Sequence, residues 1–323
     1  MAAVLAATSP IRARGIAGIL ASAVLALCAN APAADAKPIV GIAEQQAAAF
    51  TNPLFTPLGV RYARLNLAWD AMRYGWQLAE LDAWMTTTHA AGIEPLVIFS
   101  QSRVKGRSRI LPTPRQYGVV IDQLLARYPW VREFATWNEA NHSGQPTAKS
   151  PARVAAYYET LRRHCAGCRI AAASLLDDPQ LVAWARRLRS AIHRRGLPDP
   201  KLWALHNYID VNNLRDTSTR AFLRGVQGTV WLTETGGIVR ATSPRARRFK
   251  QGPQRAATVL KYILGPMATR NPRITRIYVY NFFGAAAPAT WDSGLVTPAG
   301  NVRPSYRVVK DWFKGKGRST VAR

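Results

Sequence analysis

The chain has 323 residues, 48% of them hydrophobic, with 22 glycines and 21 prolines. That composition excludes a fibrous or low-complexity polymer and is enough to bury a sizeable core. Lys and Arg number 44 against 18 Asp and Glu, a formal net charge of +26, which favours anionic surfaces such as acidic polysaccharide, phospholipid or nucleic acid, or equally reflects a general surface enrichment in arginine.

The chain opens with Arg12 and Arg14, an uncharged run from Ile16 to Cys28, and small residues at Ala34-Asp35-Ala36. This is the order of a secretory signal peptide over residues 1–36, with cleavage after Ala36 or alternatively Ala33. An uncleaved anchor is the competing reading, but the run is short for a bilayer span of about 20 residues, and the mature form needs no membrane span. Export places the protein outside the cell or in its envelope. It leaves Cys165 and Cys168, read first as a local disulfide, with free thiols or a metal site as alternatives. Zinc needs two further ligands that His164 alone does not supply.

From residue 37 onward, short runs rich in β-branched and aromatic residues alternate with helical periodicity. The strand candidates are "PIVGIA" from Pro38, "VRYARLNLAW" from Val60, "EPLVIFS" from Glu94, "VREFATWNE" from Val131, "RIAAASLL" from Arg169, "KLWALHNYI" from Lys201, "GTVWLTETGG" from Gly228 and "RITRIYVYNFFG" from Arg273. Helical segments include residues 77–92, 114–129, 150–165 and 252–270; Thr113-Pro114 and Ser150-Pro151 each set a proline after a capping hydroxyl. Alternation predicts a parallel sheet with crossover helices, and eight units predict a closed (β/α)8 barrel over residues 37–315. No Gly-x-Gly-x-x-Gly follows the first strand, so the dinucleotide-binding alternative lacks its phosphate loop. Residues 316–323 read as a basic tail.

In a barrel the active face lies at the carboxyl ends of the strands. Glu139 falls just past the fourth strand and Glu234 at the end of the seventh, so both project at one rim. Paired carboxylates there suit glycosidic cleavage: one protonates the leaving oxygen, the other attacks the anomeric carbon, and about 5 to 5.5 Å between them gives retention. Asn138 can bond a sugar hydroxyl beside the reacting carbon. Trp137 offers a flat apolar surface for a sugar ring. Gly236 and Gly237 give space and backbone freedom after Glu234. An acid/base glutamate is expected to have its pKa raised by its surroundings.

"TWNEAN" and "WLTETGG" resemble the acid/base and nucleophile motifs of clan A retaining glycoside hydrolases, a superfamily of (β/α)8 barrels; within the clan the likeness leans toward families 39 and 5. "RYARLNLAW" resembles the strand-two segment that brings an arginine, here Arg64, to the nucleophile, and "LHNYID" resembles the His-x-Tyr segment of strand six, with His206 and Tyr208. The end of the chain, "YNFFG" followed by "TWDSGLVTPAGNVRPSYRVVKDWF", resembles the closing segment of these enzymes. The resemblance implies Glu139 as acid/base, Glu234 as nucleophile, Asn138 as hydroxyl anchor, Arg64 and Tyr208 as the groups that keep Glu234 ionised and aligned, and no metal or organic cofactor. One departure concerns the sugar platform: Tyr280 and Asn281 stand where a tryptophan is frequent, and Trp291 comes from the following loop. Trp69 and Trp291 are candidate sugar contacts.

The expected substrate is an oligo- or polysaccharide. The run "SQSRVKGRSRILPTPR" after the third strand carries Arg103, Lys105, Arg107 and Arg109, a basic lip that could favour anionic glycans, including a cell-surface polymer. Alternatives are a non-catalytic carbohydrate-binding barrel and a basic extracellular anionic-polymer-binding protein. The second predicts lysine and arginine clustered with aromatics, whereas here they are scattered over every helix, which also argues against a specific nucleic-acid partner. Glu44, Asp70, Gln101, His142 and Asp177 follow strands without an assigned role.

Overall fold

The computed structural model describes residues 37–315 except Arg245. The signal peptide and the basic tail expected from the sequence lie outside the described residues.

The strands, in chain order, are β1 (Ile39–Ala43), β2 (Tyr62–Ala68), β3 (Glu94–Ser100), β4 (Glu133–Ala135), β5 (Arg169–Ala171), β6 (Ser174–Leu176), β7 (Leu202–His206), β8 (Thr229–Thr235), β9 (Arg240–Ala241), β10 (Ile274–Tyr280) and β11 (Trp291–Asp292). Nine of them form one sheet in the order β5-β4-β3-β2-β1-β10-β8-β7-β6, with every neighbouring pair parallel. The two edge strands of that order, β5 and β6, are halves of one predicted strand, parted at Ala172-Ala173. Ala172 N–H donates to Leu202 O at 3.1 Å and Thr136 N–H to Ala171 O at 3.4 Å, so the split strand joins both sides and closes the barrel.

The helices are α1 (Gly75–Ala90), α2 (Pro114–Arg127), α3 (Pro151–His164), α4 (Leu181–His193), α5 (Tyr208–Asn212), α6 (Thr217–Gly225), α7 (Pro253–Tyr262), α8 (Ala268–Arg270) and α9 (Pro304–Phe313). A π-helical turn over Ile263–Met267 joins α7 to α8 around Pro266. Thr113 caps α2 with a complete capping box: its hydroxyl accepts Gln116 N–H and the Gln116 side chain accepts Thr113 N–H. Ser150 makes no such side-chain bond; its backbone carbonyl takes the N–H groups of Arg153 and Val154 instead. The first crossover also departs from the alternation, since 3-10 turns at Ala47–Ala49 and Thr56–Leu58 replace a helix between β1 and β2.

Barrel strands are buried on both faces, which is why they read as nearly continuous apolar runs. Outward residues such as Val97, Phe99, Phe134, Leu205 and Ile277 pack under the helices in the main core, whereas Leu96, Ile98, Ala135, Ala204, Trp231 and Tyr278 fill the barrel interior. The register sets Ala43 beside both Arg64 and Tyr280, and His206 beside Glu234. Four polar side chains from four strands thus sit at the carboxyl-end layer.

Candidate active site

β4 ends at Ala135, so "TWNEAN" is a turn rather than strand. Its backbone is pinned from both sides: Asn138 N–H donates to Phe99 O at 2.7 Å, Ser174 N–H to Trp137 O at 3.0 Å, and Ala140 N–H to Ser174 O at 2.9 Å. Within this clamp Glu139 adopts φ 45°, a left-handed conformation costly for a side chain of its size. Trp137 has no exposed surface; it stacks on Tyr157 at 5.5 Å, which stacks on Tyr117 at 4.4 Å. Its indole N–H donates to Gln145 Oε1 at 3.1 Å. Trp137 is therefore the packing foot of the turn, and the sugar surface expected of it is not available.

Glu234 has both carboxylate oxygens occupied. Arg64 Nη1 donates to Oε2 at 2.7 Å and the Tyr208 hydroxyl donates to Oε1 at 3.1 Å. The second arm of the same guanidinium, Nη2, donates to Asn138 Oδ1, so one arginine fixes the nucleophile candidate and the residue before the other glutamate. Tyr208 opens α5 rather than continuing the strand. That turn is held by the buried Asp177 carboxylate, which accepts Ile209 N–H at 3.1 Å and Asp210 N–H at 2.7 Å. Burial, then the Glu234 charge, pushes the Tyr208 hydroxyl well above its ordinary pKa, so it stays a donor.

His206 lies between the two glutamates. Its Nδ1 is 3.2 Å from Glu139 Oε1 and 3.9 Å from Glu234 Oε2, and the ring is fully buried. Burial raises the Glu139 carboxyl, but the hydrogen bond and charge of His206, with the charges of His142 and Arg64, outweigh it and hold the pKa below the ordinary value. An acid/base role by itself predicts a raised value; the cause of the difference is a histidine contact across the barrel mouth.

One ligand-capable atom each from Glu139, His206 and Glu234 falls within a 4.8 Å set. The donor set fits a metal cation poorly, because Glu234 already faces the fixed positive charge of Arg64.

Gly236 and Gly237 matter for close approach. A Cβ on Gly237 would meet the Ala256 backbone at 2.3 Å and one on Gly236 the Tyr280 carbonyl oxygen at 2.8 Å, while neither is among the positive-φ glycines, so the expected conformational freedom is not their use.

Trp69 is buried, its N–H donating to Ile110 O at 3.2 Å, which removes it as a sugar contact. Trp291 is half-buried and meets Tyr208 edge-on at 4.9 Å, with Ile238, Ala241, Ala246 and Phe249 forming a small cluster behind it. It belongs to a two-stranded ribbon of β9 and β11 that ties the loop after β8 to the loop after β10. The bidentate pair Arg303–Asp292, at 2.8 and 2.7 Å, anchors that ribbon. The disulfide Cys165–Cys168 is formed, at the barrel's opposite end beside β5.

Three carboxylates lacking an assigned role prove structural. Glu44 accepts four backbone N–H groups, from Gln45, Gln46, Phe282 and Phe283, at 2.7 to 3.1 Å. Asp70 accepts the Ser102 hydroxyl at 2.7 Å, and Asp177 serves α5 as described. The basic lip is partly paired: Arg103 bonds Glu80 at 2.5 Å and lies over Trp76 at 4.7 Å, and Arg107 is 3.8 Å from Asp70.

A cleft of 960 Å³ opens from Glu234, Arg64 and Tyr280 toward β2, β3 and the start of α1. Asn66, Gln77 and Gln101 line it, and none of the three stood out as a site residue in the sequence. Asn66 was the most accessible to reasoning, because it lies two residues past Arg64 on one strand and so shares its face.

No family model matches the chain, and no curated protein does. Solved structures do match in fold. A family 39 glycoside hydrolase from the gut symbiont Bacteroides cellulosilyticus aligns at TM-score 0.56 and 14% identity over 85% of this chain, which spans 63% of that protein's length. A GH5_18 protein from Streptomyces cattleya, solved with GlcNAc, aligns at TM-score 0.62 and 13% identity over 88% of this chain and 82% of its own. A GH10 endoxylanase from a sugarcane soil metagenome aligns at TM-score 0.62 and 13% identity over 86% and 97%. The chain therefore has the (β/α)8 fold that these clan A glycoside hydrolases share.

Proposed function

We propose that this protein is a retaining glycoside hydrolase in which Glu234 is the nucleophile and Glu139 the acid/base. The observation that carries the reading is the proximity of the two carboxylates, each offering an oxygen within a 4.8 Å set at one barrel mouth. Oxygens this near support double displacement, in which the two carboxyl groups lie about 5 to 5.5 Å apart, over inversion, which needs about 6.5 to 9.5 Å to seat a water.

The surroundings support these roles. Arg64 and Tyr208 hold Glu234 as an aligned carboxylate, ready to form a bond to the anomeric carbon as the glycosidic C–O bond breaks. Asn138 gives its carbonyl to Arg64, which keeps the amide N–H₂ for a sugar hydroxyl. The leaving oxygen takes its proton from Glu139. His206 Nδ1 lies 3.2 Å from Glu139 Oε1, within hydrogen-bond reach of that carboxyl. In the second half-reaction the carboxylate accepts a proton from water, whose oxygen then displaces Glu234 from the sugar.

We further propose export to an oxidising compartment, supported by the Cys165–Cys168 disulfide. Association with an anionic cell-surface polymer is supported by the net charge of +26. Among the described residues no helix is long and apolar enough to cross a membrane.

The direct test is mass spectrometry of the intact protein after exposure to pyranose and furanose fluoro-sugar trapping reagents. A glycosyl adduct on wild type that is lost in Glu234→Gln is the expected result. An adduct that persists in Glu234→Gln removes Glu234 from the nucleophile role.

A further inference from the structure

We infer that Asn66, Gln77 and Gln101 read the sugar beside the scissile bond and select an uncharged ring through its hydroxyls. The inference rests on Glu234 being the nucleophile, because the cleft these amides line begins at that residue.

The first observation is an unmatched set of amides. Gln77 is 2% exposed, yet neither its Oε1 nor its Nε2 has a hydrogen-bond partner within the protein. Asn66 and Gln101 are half-buried, and the carbonyl oxygen of each, Oδ1 and Oε1, is buried and unpartnered. Burying such a polar atom without a partner is unfavourable. A fold that buries several around one cleft fits a ligand that supplies the partners. Sugar hydroxyls do so, since each donates and accepts and an amide offers both halves of the exchange.

The second observation is charge. The wall has two arginines and two glutamates, and they are matched: Arg64 with Glu234 at 2.7 Å and Arg103 with Glu80 at 2.5 Å. A sugar carboxylate entering here would leave water without gaining an unengaged cation. Selection near the bond therefore runs against the expectation that the net charge and the basic lip suggest. Anionic partners are met by the outer surface, and the cleft takes a neutral ring.

The test uses the full protein and matched pairs of dinitrophenyl glycosides that differ only by a C6 carboxylate: glucoside with glucuronide, and galactoside with galacturonide. The wild type turns over the neutral member at least about tenfold better in kcat/KM. Gln101→Lys adds a cation to the wall and moves the neutral-to-uronate ratio toward the uronate by about tenfold or more, the worth of one charge-assisted hydrogen bond. Gln77→Met keeps the volume and removes the unpaired amide. It raises Tm while raising KM for the neutral glycoside about tenfold, a split that a purely structural glutamine would not give. If Gln77→Met does not fold, Gln101→Lys decides alone. Unchanged ratios in Gln101→Lys, with turnover still abolished in Glu234→Gln, overturn the amide assignment and leave the glycosidase reading standing. No turnover of any pair and no trapped adduct in wild type overturn both.

Discussion

Two buried arginine–glutamate pairs sit inside this barrel, one toward each mouth, and only one of them belongs to the cleft. Toward the amino ends of the strands Arg276 bonds Glu133 and lies between Tyr62 and Trp231, 4.1 and 4.2 Å from their ring centres. The other Glu133 oxygen takes Arg169 at 3.1 Å. Burial, working against both arginines, still leaves the Glu133 carboxyl above its ordinary pKa. At the carboxyl ends Arg64 bonds Glu234 at 2.7 Å, but Glu234 is 15% exposed and faces a cleft and a second carboxylate. An ion pair alone identifies nothing. What separates a site from a plug is an open side, a neighbouring acid and a second polar hand, here Tyr208, on the carboxylate.

The widest way to break the comparison is to remove each glutamate. Glu234→Ala should lower turnover by about 10⁴-fold or more, the scale of losing a covalent nucleophile. Glu133→Ala should leave turnover per folded molecule unchanged while costing about 3 to 5 kcal/mol of stability, because it strands a buried guanidinium; parallel kinetics and urea titrations of both variants read the contrast. A smaller step is Tyr208→Phe, which takes one donor from Glu234. Loss of a hydrogen bond to a charged group, about 1.5 to 3 kcal/mol, predicts a roughly 10- to 100-fold drop in kcat/KM with the melting temperature little changed.

The smallest effect is a slope with pH. Glu139 is held below its ordinary value, whereas in the unfolded chain it titrates near about 4.3. A depressed folded pKa contributes stability that is present above the unfolded value and is lost as pH falls through the folded one. Wild type should therefore lose more stability than Glu139→Gln as pH is lowered from about 5 to 3. A steeper loss in the variant would reverse the assigned sign.

The barrel was legible because parallel strands buried on both faces leave contiguous apolar runs, and because one glutamate follows the fourth of them and the other closes the seventh. Boundaries were less so. Thr136 and Trp137 are as buried as Ala135, so hydrophobicity continued the fourth strand past the end of its ladder. The tryptophans show a different limit: sequence names an indole, but only packing shows that Trp137 and Trp69 turn inward while Trp291 keeps an open side. Gln77 was invisible, since an amide in the first turn of a helix looks like solvated surface, whereas this one is buried and lines the cleft. The direction of the Glu139 shift depends on His206, three strands further along the chain, and no local pattern carries that contact.

The parted strand of β5 and β6 has a consequence for heat. Glu139 hangs by its neighbours' amides from Ser174 on β6, a strand of three residues, whereas Glu234 lies within β8, seven residues long and paired on both sides. Amides of Ala140 and Ser174 should exchange with deuterium faster than those of Val230 to Leu232, because short ladders open first. On warming, the proton donor proposed at Glu139 would wander while the nucleophile proposed at Glu234 stayed in register, so the molecule should fall silent some degrees before it melts.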